Sequence, residues 1–323
     1  GGTEADNAAV RLACMIAGEQ RYEIITPPAE HHAVLAACER EEEQGRTLRL
    51  LPVNEGAVPD TDTLDRLLSP ATALTTLMHV NNETGGILPL ADVAGRVRES
   101  GALFHTDAVQ SAGKLTIDVR AVPVDLLSMS AHKIHGPKGV GALYVRSGLR
   151  IPQLQTGGGQ ERGRRGGTEN VAGIVGFGAA ARLALEERES RIGRWRDLHA
   201  IALRMLQDAL PGLRFNPGLR FNGDSGQVLP NILSVTFPAE HYALDGGALL
   251  MNCDMAGLAV SGGSACAAGS IEPSHVIRAI GHADAEDAAT VRISFGAETM
   301  EEEVREGLTI LIDMVNAMRE RTH

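Results

Sequence analysis

The stretch SMSAHKIHGPKGVGALYVR (Ser128–Arg146) sets a serine, a histidine and a lysine in a turn between two apolar runs. Val124–Met129 and Gly141–Val145 read as strands from their apolar and β-branched content, and Gly136-Pro137 marks the reversal between them. Taken alone, a turn lysine is most often a solvated surface charge. A hydroxyl, an imidazole and an amine crowded past a strand end also suit chemistry, because an amine of lowered pKa attacks carbonyl carbon. The choice depends on the fold in which the turn sits.

Upstream, strands over Tyr22–Thr26, Leu48–Val53, Ala73–Val80 and Ala102–Thr106 alternate with helical patterns over Glu4–Ala17, Glu30–Glu43, Thr61–Leu68 and Leu90–Ser100. This βαβ alternation predicts a mainly parallel sheet covered by helices. Ligands of such sheets bind outside the carboxyl ends of the strands. Polar clusters fall on those ends: Asn81-Asn82, Asp107, and Ser130 with His132 and Lys133. Downstream, TGGGQERGRRGGTEN (Thr156–Asn170) interrupts the pattern. Two helices follow, the second over Arg191–Leu210. After them come a strand at Asn231–Phe237, a loop with Cys266, a strand at Val291–Phe295 and a helix from Met300. The expectation is a large domain over 1–187 and a smaller α+β domain over 188–323.

The 323 residues suffice for a substantial core, and a net charge of -11 argues against nucleic acid or anionic membrane as the main partner. No apolar run is long enough to span a bilayer. Cys14, Cys38, Cys253 and Cys266 form no C-x-x-C pair, which argues against a disulfide framework or structural zinc and for a reducing compartment. Of the 30 basic residues only Lys114, Lys133 and Lys138 are lysines, which narrows any search for a reactive amine.

FHTDAVQSAGK puts Asp107 at a strand end, where a carboxylate can pair with a protonated pyridine nitrogen, although a helix N-cap is a common use of such an aspartate. GGTEADN offers glycines, the Thr3 hydroxyl and a helix start, a combination that suits a phosphate or an ordinary cap at Thr3. In AEHHAVL, His31 and His32 read as surface residues, since neighbours share no helical face. In VRISFGAET, Arg292 can grip a carboxylate bidentately or form a structural ion pair. SGGSACAAGSIEPSHVIRAIG (Ser261–Gly281) surrounds Cys266 with small residues that give a thiol access and freedom rather than packing.

In combination, GGTEADN, EHHAVL, HVNNETGGILP, HTDAVQSAGK, SAHKIHGPKGVGALYVR, GGGQERGRRGGT and SGGSACAAGSIEPSHVIRAIG occur in an order that resembles the cysteine desulfurases of the NifS/IscS type. These belong to the class V aminotransferases, within fold type I of the pyridoxal-phosphate enzymes. The resemblance runs essentially end to end. It implies an α/β fold with a mainly parallel central sheet and a smaller α+β C-terminal domain. It also implies pyridoxal 5'-phosphate bound covalently by Lys133, with Asp107 on the pyridine nitrogen and Gln110 on the phenolic oxygen. His31 would stack on the ring as an acid/base. Gly2, Thr3, Ser130 and His132 would take the phosphate, and Thr168 would reach the phosphate of a neighbouring subunit in a homodimer. Asn82 and Arg292 would hold the substrate carboxylate, and Cys266 would be the nucleophile. No metal is implied.

The implied reaction converts L-cysteine to L-alanine with the sulfur held as a persulfide on Cys266. It would then pass to an acceptor such as an iron–sulfur scaffold, in the cytoplasm. Selenocysteine lyase or aminotransferase chemistry on the same scaffold, or an inactive truncated form, are the alternatives. The family pattern carries roughly seventy further residues before GGTE. The loop reads SGGSAC where SSGSAC is common, which adds backbone freedom.

Overall fold

In the computed structural model of the chain, residues 1–216, 228–262, 274–281 and 288–322 are described. Strand and helix alternate through the first half: α1 (Gly2–Ala17), β1 (Glu23–Thr26), α2 (His32–Glu43), β2 (Thr47–Leu50), α3 (Thr61–Leu67), β3 (Thr72–Thr76), α4 (Leu90–Ser100), β4 (Leu103–Asp107), β5 (Leu126–Ser130) and β6 (Gly141–Val145). A single turn, α5 (Gln160–Gly163), and a long helix, α6 (Val171–Glu186), follow. The six strands pair in the order β2-β1-β3-β4-β5-β6. All neighbours are parallel except β5 and β6. Every residue of β1 and β3 is buried, as expected of interior strands covered on both faces, whereas the edge strand β2 is mostly exposed.

α1 buries one stripe, Ala5, Ala9, Leu12 and Ala13, at the spacing of a core-facing helix. Ala9, Val10 and Cys14 share a cluster with Ile24, Val34, Cys38, Leu74 and Leu126. The helix begins at Gly2, earlier than the expected Glu4, because Ala5 N donates to Gly1 O (3.2 Å) and closes the first turn there. Thr3 therefore lies inside the helix and Gly1 is its cap, so the expected threonine cap is corrected.

The chain divides into two compact units, with the first comprising Gly1–Pro52, Pro59–Val80 and Leu88–Arg188. The second takes Glu189–His323 together with two short early segments, Val53–Val58 and Asn81–Ile87, which a single boundary at 187/188 omits. Long-range backbone pairing captures these segments. Gly86 bridges Val228, Leu229 N donates to Gly85 O (2.9 Å), and Thr84 Oγ1 donates to Gly56 O (2.8 Å). A Cβ on Gly86 would stand 2.1 Å from Gly56 O, so the approach requires glycine.

Within the second unit, β7 (Arg214–Asn216), β8 (Ile232–Phe237) and β9 (Ala289–Ser294) form an antiparallel sheet in that order. Helices α7 (Arg188–Ala209), α8 (Ala239–Tyr242), α9 (Gly246–Met255), α10 (His275–Ala279) and α11 (Glu301–Thr322) accompany it. Its core joins Trp195, Leu206, Phe237, Leu249, Val291 and Leu311. β7 is too short to announce itself by alternation. No helix among the described residues is long and apolar enough to cross a membrane.

Candidate active site

Strands β1 and β2 run to one side of the sheet and β3 onward to the other, so the order reverses between β1 and β3. Crevices at such reversals, outside the carboxyl ends, are the usual ligand positions of open α/β sheets. The chain brings most of its predicted residues of the first unit to those ends.

Asp107 is the last residue of β4 and is buried; its Oδ1 accepts from Val109 N at 2.8 Å. Burial raises its carboxyl to about 6, against the opposing pull of that amide and of the Lys133 ammonium. Lys133 follows the end of β5, in a 3-10 turn over Ala131–Ile134. In the same turn His132 Nδ1 meets Ser130 Oγ at 2.8 Å. Partial burial and the nearby charges of Lys133 and Lys138 lower the His132 pKa. The turn is held from behind by α6, whose Ala180 and Ala184 pack on Ile134.

The N-terminus of α1 faces the same strand ends. A Cβ built on Gly2 would lie 3.1 Å from Val109 Cγ2 and 3.3 Å from Ser130 Cβ, so glycine lets the helix start close to Ser130. The cap, Gly1, supplies no side-chain acceptor to the first-turn amides. Free amides at the positive end of a 16-residue helix, beside the Ser130 hydroxyl, make a cradle for an anion such as phosphate. Thr3 is exposed in that first turn.

His31 is the N-cap of α2, and its Nδ1 accepts from Ala33 N at 3.1 Å. That bond assigns the lone pair to Nδ1 and, in the neutral ring, the proton to Nε2. Asn7 Nδ2 donates to Ala33 O (3.0 Å), tying α1 to the same helix start. Gln110 sits in the turn after β4, where its Oε1 accepts from Lys114 Nζ at 3.1 Å. Thr168 is exposed and lines, with Gly1, Arg11 and Arg165, a groove of about 1130 Å³ in the first unit.

Asn82 and Arg292, predicted to act together, meet in the second unit: Arg292 Nη1 donates to Asn82 O at 2.8 Å. The Asn82 Oδ1 is buried without a hydrogen-bond partner among the described residues. Cys266, the predicted nucleophile, lies outside the described residues.

Several buried polar groups escaped the sequence reading. Asp6 and Glu30 are both raised, Asp6 to about 8, chiefly by burial and then by repulsion from Asp107. Glu30 Oε1 accepts from Met78 N, joining the loops after β1 and β3 across the reversal. His105 bonds Thr76 Oγ1 (2.7 Å) and Ser128 Oγ (2.9 Å), and burial takes it down to about 3. Lys114 is buried as well. The scarcity of lysine was the one available signal for it.

The geometry thus joins an anion cradle, a buried carboxylate and an amine in a strand-end turn, a set that suits a phosphorylated pyridine aldehyde. The profile of the aminotransferase class-V family matches residues 1–306. A cysteine desulfurase of Nostoc sp. (strain PCC 7120 / SAG 25.82 / UTEX 2576) is 43% identical over 318 residues, covering 98% of this chain and 77% of that protein. A putative cysteine desulfurase IscS 1 of Bacillus subtilis (strain 168) is 41% identical, over 98% and 82%. A solved NifS-like protein superposes with a TM-score of 0.86 at 33% identity, over 98% of this chain and 81% of that one. The chain belongs to the aminotransferase class-V family, whose members depend on pyridoxal phosphate. Within that family its activity is that of a cysteine desulfurase of the NifS/IscS type.

Proposed function

We propose that the chain converts L-cysteine to L-alanine with Lys133 holding pyridoxal phosphate and Cys266 taking the sulfur. The observation that carries the assignment of residues is the convergence of the uncapped α1 N-terminus, buried Asp107 and the Lys133 turn at adjacent strand ends. When bound, the cofactor supplies an electron sink for the pair left as the substrate's α-proton departs.

The chain's own residues do the rest. Gly2, Thr3, Ser130 and His132 hold the phosphate, Asp107 keeps the ring nitrogen protonated, and Gln110 bonds the phenolic oxygen. Asn82 and Arg292 orient the substrate carboxylate. The Lys133 amine would be the base that moves the substrate's α-proton, and His31, with its proton on Nε2, would serve the ring side. The Cys266 thiolate forms an S–S bond to the substrate sulfur as the Cβ–S bond breaks, and Cβ takes a proton. One thiol and one cysteine become one persulfide and one alanine, with atoms balanced and no external oxidant.

The working form is a homodimer. The outer face of α6 leaves Val171, Ile174 and Val175 exposed, Val175 by 67%, and Leu185 with them. A second copy covers that face and receives Thr168 at its phosphate. The persulfide passes to an acceptor protein of the iron–sulfur scaffold kind, in the cytoplasm. The buried thiols Cys14, Cys38 and Cys253, all unpaired, fit a reducing compartment.

The test is a single turnover with cofactor, L-cysteine and no reductant, run beside Cys266→Ala. About one alanine per site and an adduct of about 32 Da on Cys266 are expected. Bound cofactor with alanine formation unchanged in Cys266→Ala would sink the assignment of the nucleophile.

A further inference from the structure

The reaction as read uses one of the chain's three lysines, yet a second one is buried in the same unit. Lys114 is 7% exposed and belongs to the turn that follows Asp107. Among the described residues its Nζ forms no ion pair and has one hydrogen-bond acceptor, Gln110 Oε1, at 3.1 Å. An ammonium buried without a carboxylate is costly, and a chain so short of lysine would more readily place a leucine or methionine there.

We propose that Lys114 is a positioning residue that orients the Gln110 amide so that its NH2 end faces the cofactor's phenolic oxygen. The inference rests on the cofactor reading above. A glutamine amide presents an acceptor at one end and a donor at the other, and nothing in its shape distinguishes them. As an ammonium Lys114 can only donate, and the neutral amine that replaces it above about pH 7 still keeps two N–H donors for Oε1. It therefore captures the carbonyl end, Oε1, and leaves Nε2–H as the free end, a donor. That selects an oxygen acceptor carrying negative charge and rejects a donor. The charge also acts at longer range. Burial, and then the neighbouring Lys133, bring Lys114 down to about 7, and the same repulsion makes a second positive charge at Lys133 less favourable. Both effects work in one direction. With the cofactor held by Lys133, a donor at its phenolic oxygen and a nearby cation would both favour loss of the proton at the Lys133 nitrogen.

The test follows the visible absorption band of the reconstituted holoenzyme through a pH titration, with thermal melting to verify folding. Wild type, Lys114→Met, Lys114→Arg, Gln110→Leu and the Lys114→Met/Gln110→Leu pair are compared. Lys114→Met is expected to raise the midpoint by about half a pH unit or more, and Lys114→Arg, still donor-only, to restore it. In the Gln110→Leu background the same substitution moves the midpoint much less, because the intermediary is gone. Lys114→Gln takes the place of Lys114→Met if the latter does not fold. An unchanged midpoint in folded, cofactor-loaded Lys114→Met overturns the proposal. So does an equal shift in both backgrounds, which would mean that Lys114 acts by charge alone. Wild type that gains no visible band with pyridoxal phosphate overturns the cofactor reading itself, and the proposal with it.

Discussion

Arg292 donates through Nη1 to the backbone carbonyl of Asn82, 2.8 Å away and 210 residues earlier in the chain. The bond engages one arm of a planar fork and orients the guanidinium, whose shape suits bidentate contact with a carboxylate. Arg292→Lys keeps the charge but loses the fork. Its expected signature is a KM for L-cysteine raised by about 100-fold, in line with removing one partner of a charged pair, with the absorption of bound cofactor unaltered. Steady-state kinetics beside a spectrum checks this; an unchanged KM would remove Arg292 from the substrate site.

Two buried groups make stability depend on pH with opposite signs. His105 binds a proton near 6.5 when unfolded but only near 3 when folded, so its unfolded form holds more protons between those values and stability falls as pH drops through that window. Asp6, raised to about 8 by burial and by Asp107, does the reverse. Its contribution is full below 3.8 and is lost as pH rises through about 8. Asp6→Asn in the apoprotein therefore gains on wild type as pH goes from 4 to 8, by up to about 1.4 kcal/mol per pH unit and on the order of several kcal/mol in all. Urea unfolding at four or five pH values measures the difference, and a pH-independent one would contradict the buried carboxyl.

Breaking the outer face of α6 separates the proposed dimer from the fold of the single chain. Val175→Asp puts a carboxylate at a position that is 67% exposed, so the monomer itself should melt within about 0.5 kcal/mol of wild type. Across an apolar interface the same charge costs several kcal/mol, which weakens association by about 100-fold or more. Sedimentation at several concentrations should show monomers, and wild-type-like dimers would place the interface elsewhere.

Gly86→Ala forces a methyl group into a gap of 2.1 Å to Gly56 O. Backbone must move, at a cost of about 3 kcal/mol, and the loss should concentrate in the segments 53–58 and 81–87. Hydrogen exchange read by residue resolves this, since a uniform loss of protection would contradict a local anchor.

What could be read from the residues and what could not divides along physical lines. β1, β3 and β5 were legible because strands buried on both faces leave short runs rich in apolar and β-branched residues, and α1, α2 and α4 because each buries one stripe. Asp107 and Lys133 were legible as polar residues at the ends of such runs. The bond from Met78 N to Glu30 was not, because a buried carboxylate 48 residues from its partner looks in sequence like any surface glutamate. Nor was His31 as a cap for α2: histidine is a rare cap, and its pairing with His32 suggested an exposed face. The orientation of Gln110 needed three dimensions, since Lys114 four residues on reads as an ordinary surface charge.

The discontinuous second unit has a consequence for synthesis. Val53–Val58 and Asn81–Ile87 leave the ribosome long before Arg292 and β9 exist to receive them. At elongation rates of about 5–20 residues per second, Asn82 waits on the order of ten seconds or more for Arg292. The first unit must fold around two polar excursions that it does not use, one of them held locally by Asn81 Oδ1 accepting from Glu83 N and Thr84 N. A tight Asn-led turn, in place of an extended arm, keeps that segment compact and short of pairing groups until its own half of the molecule arrives.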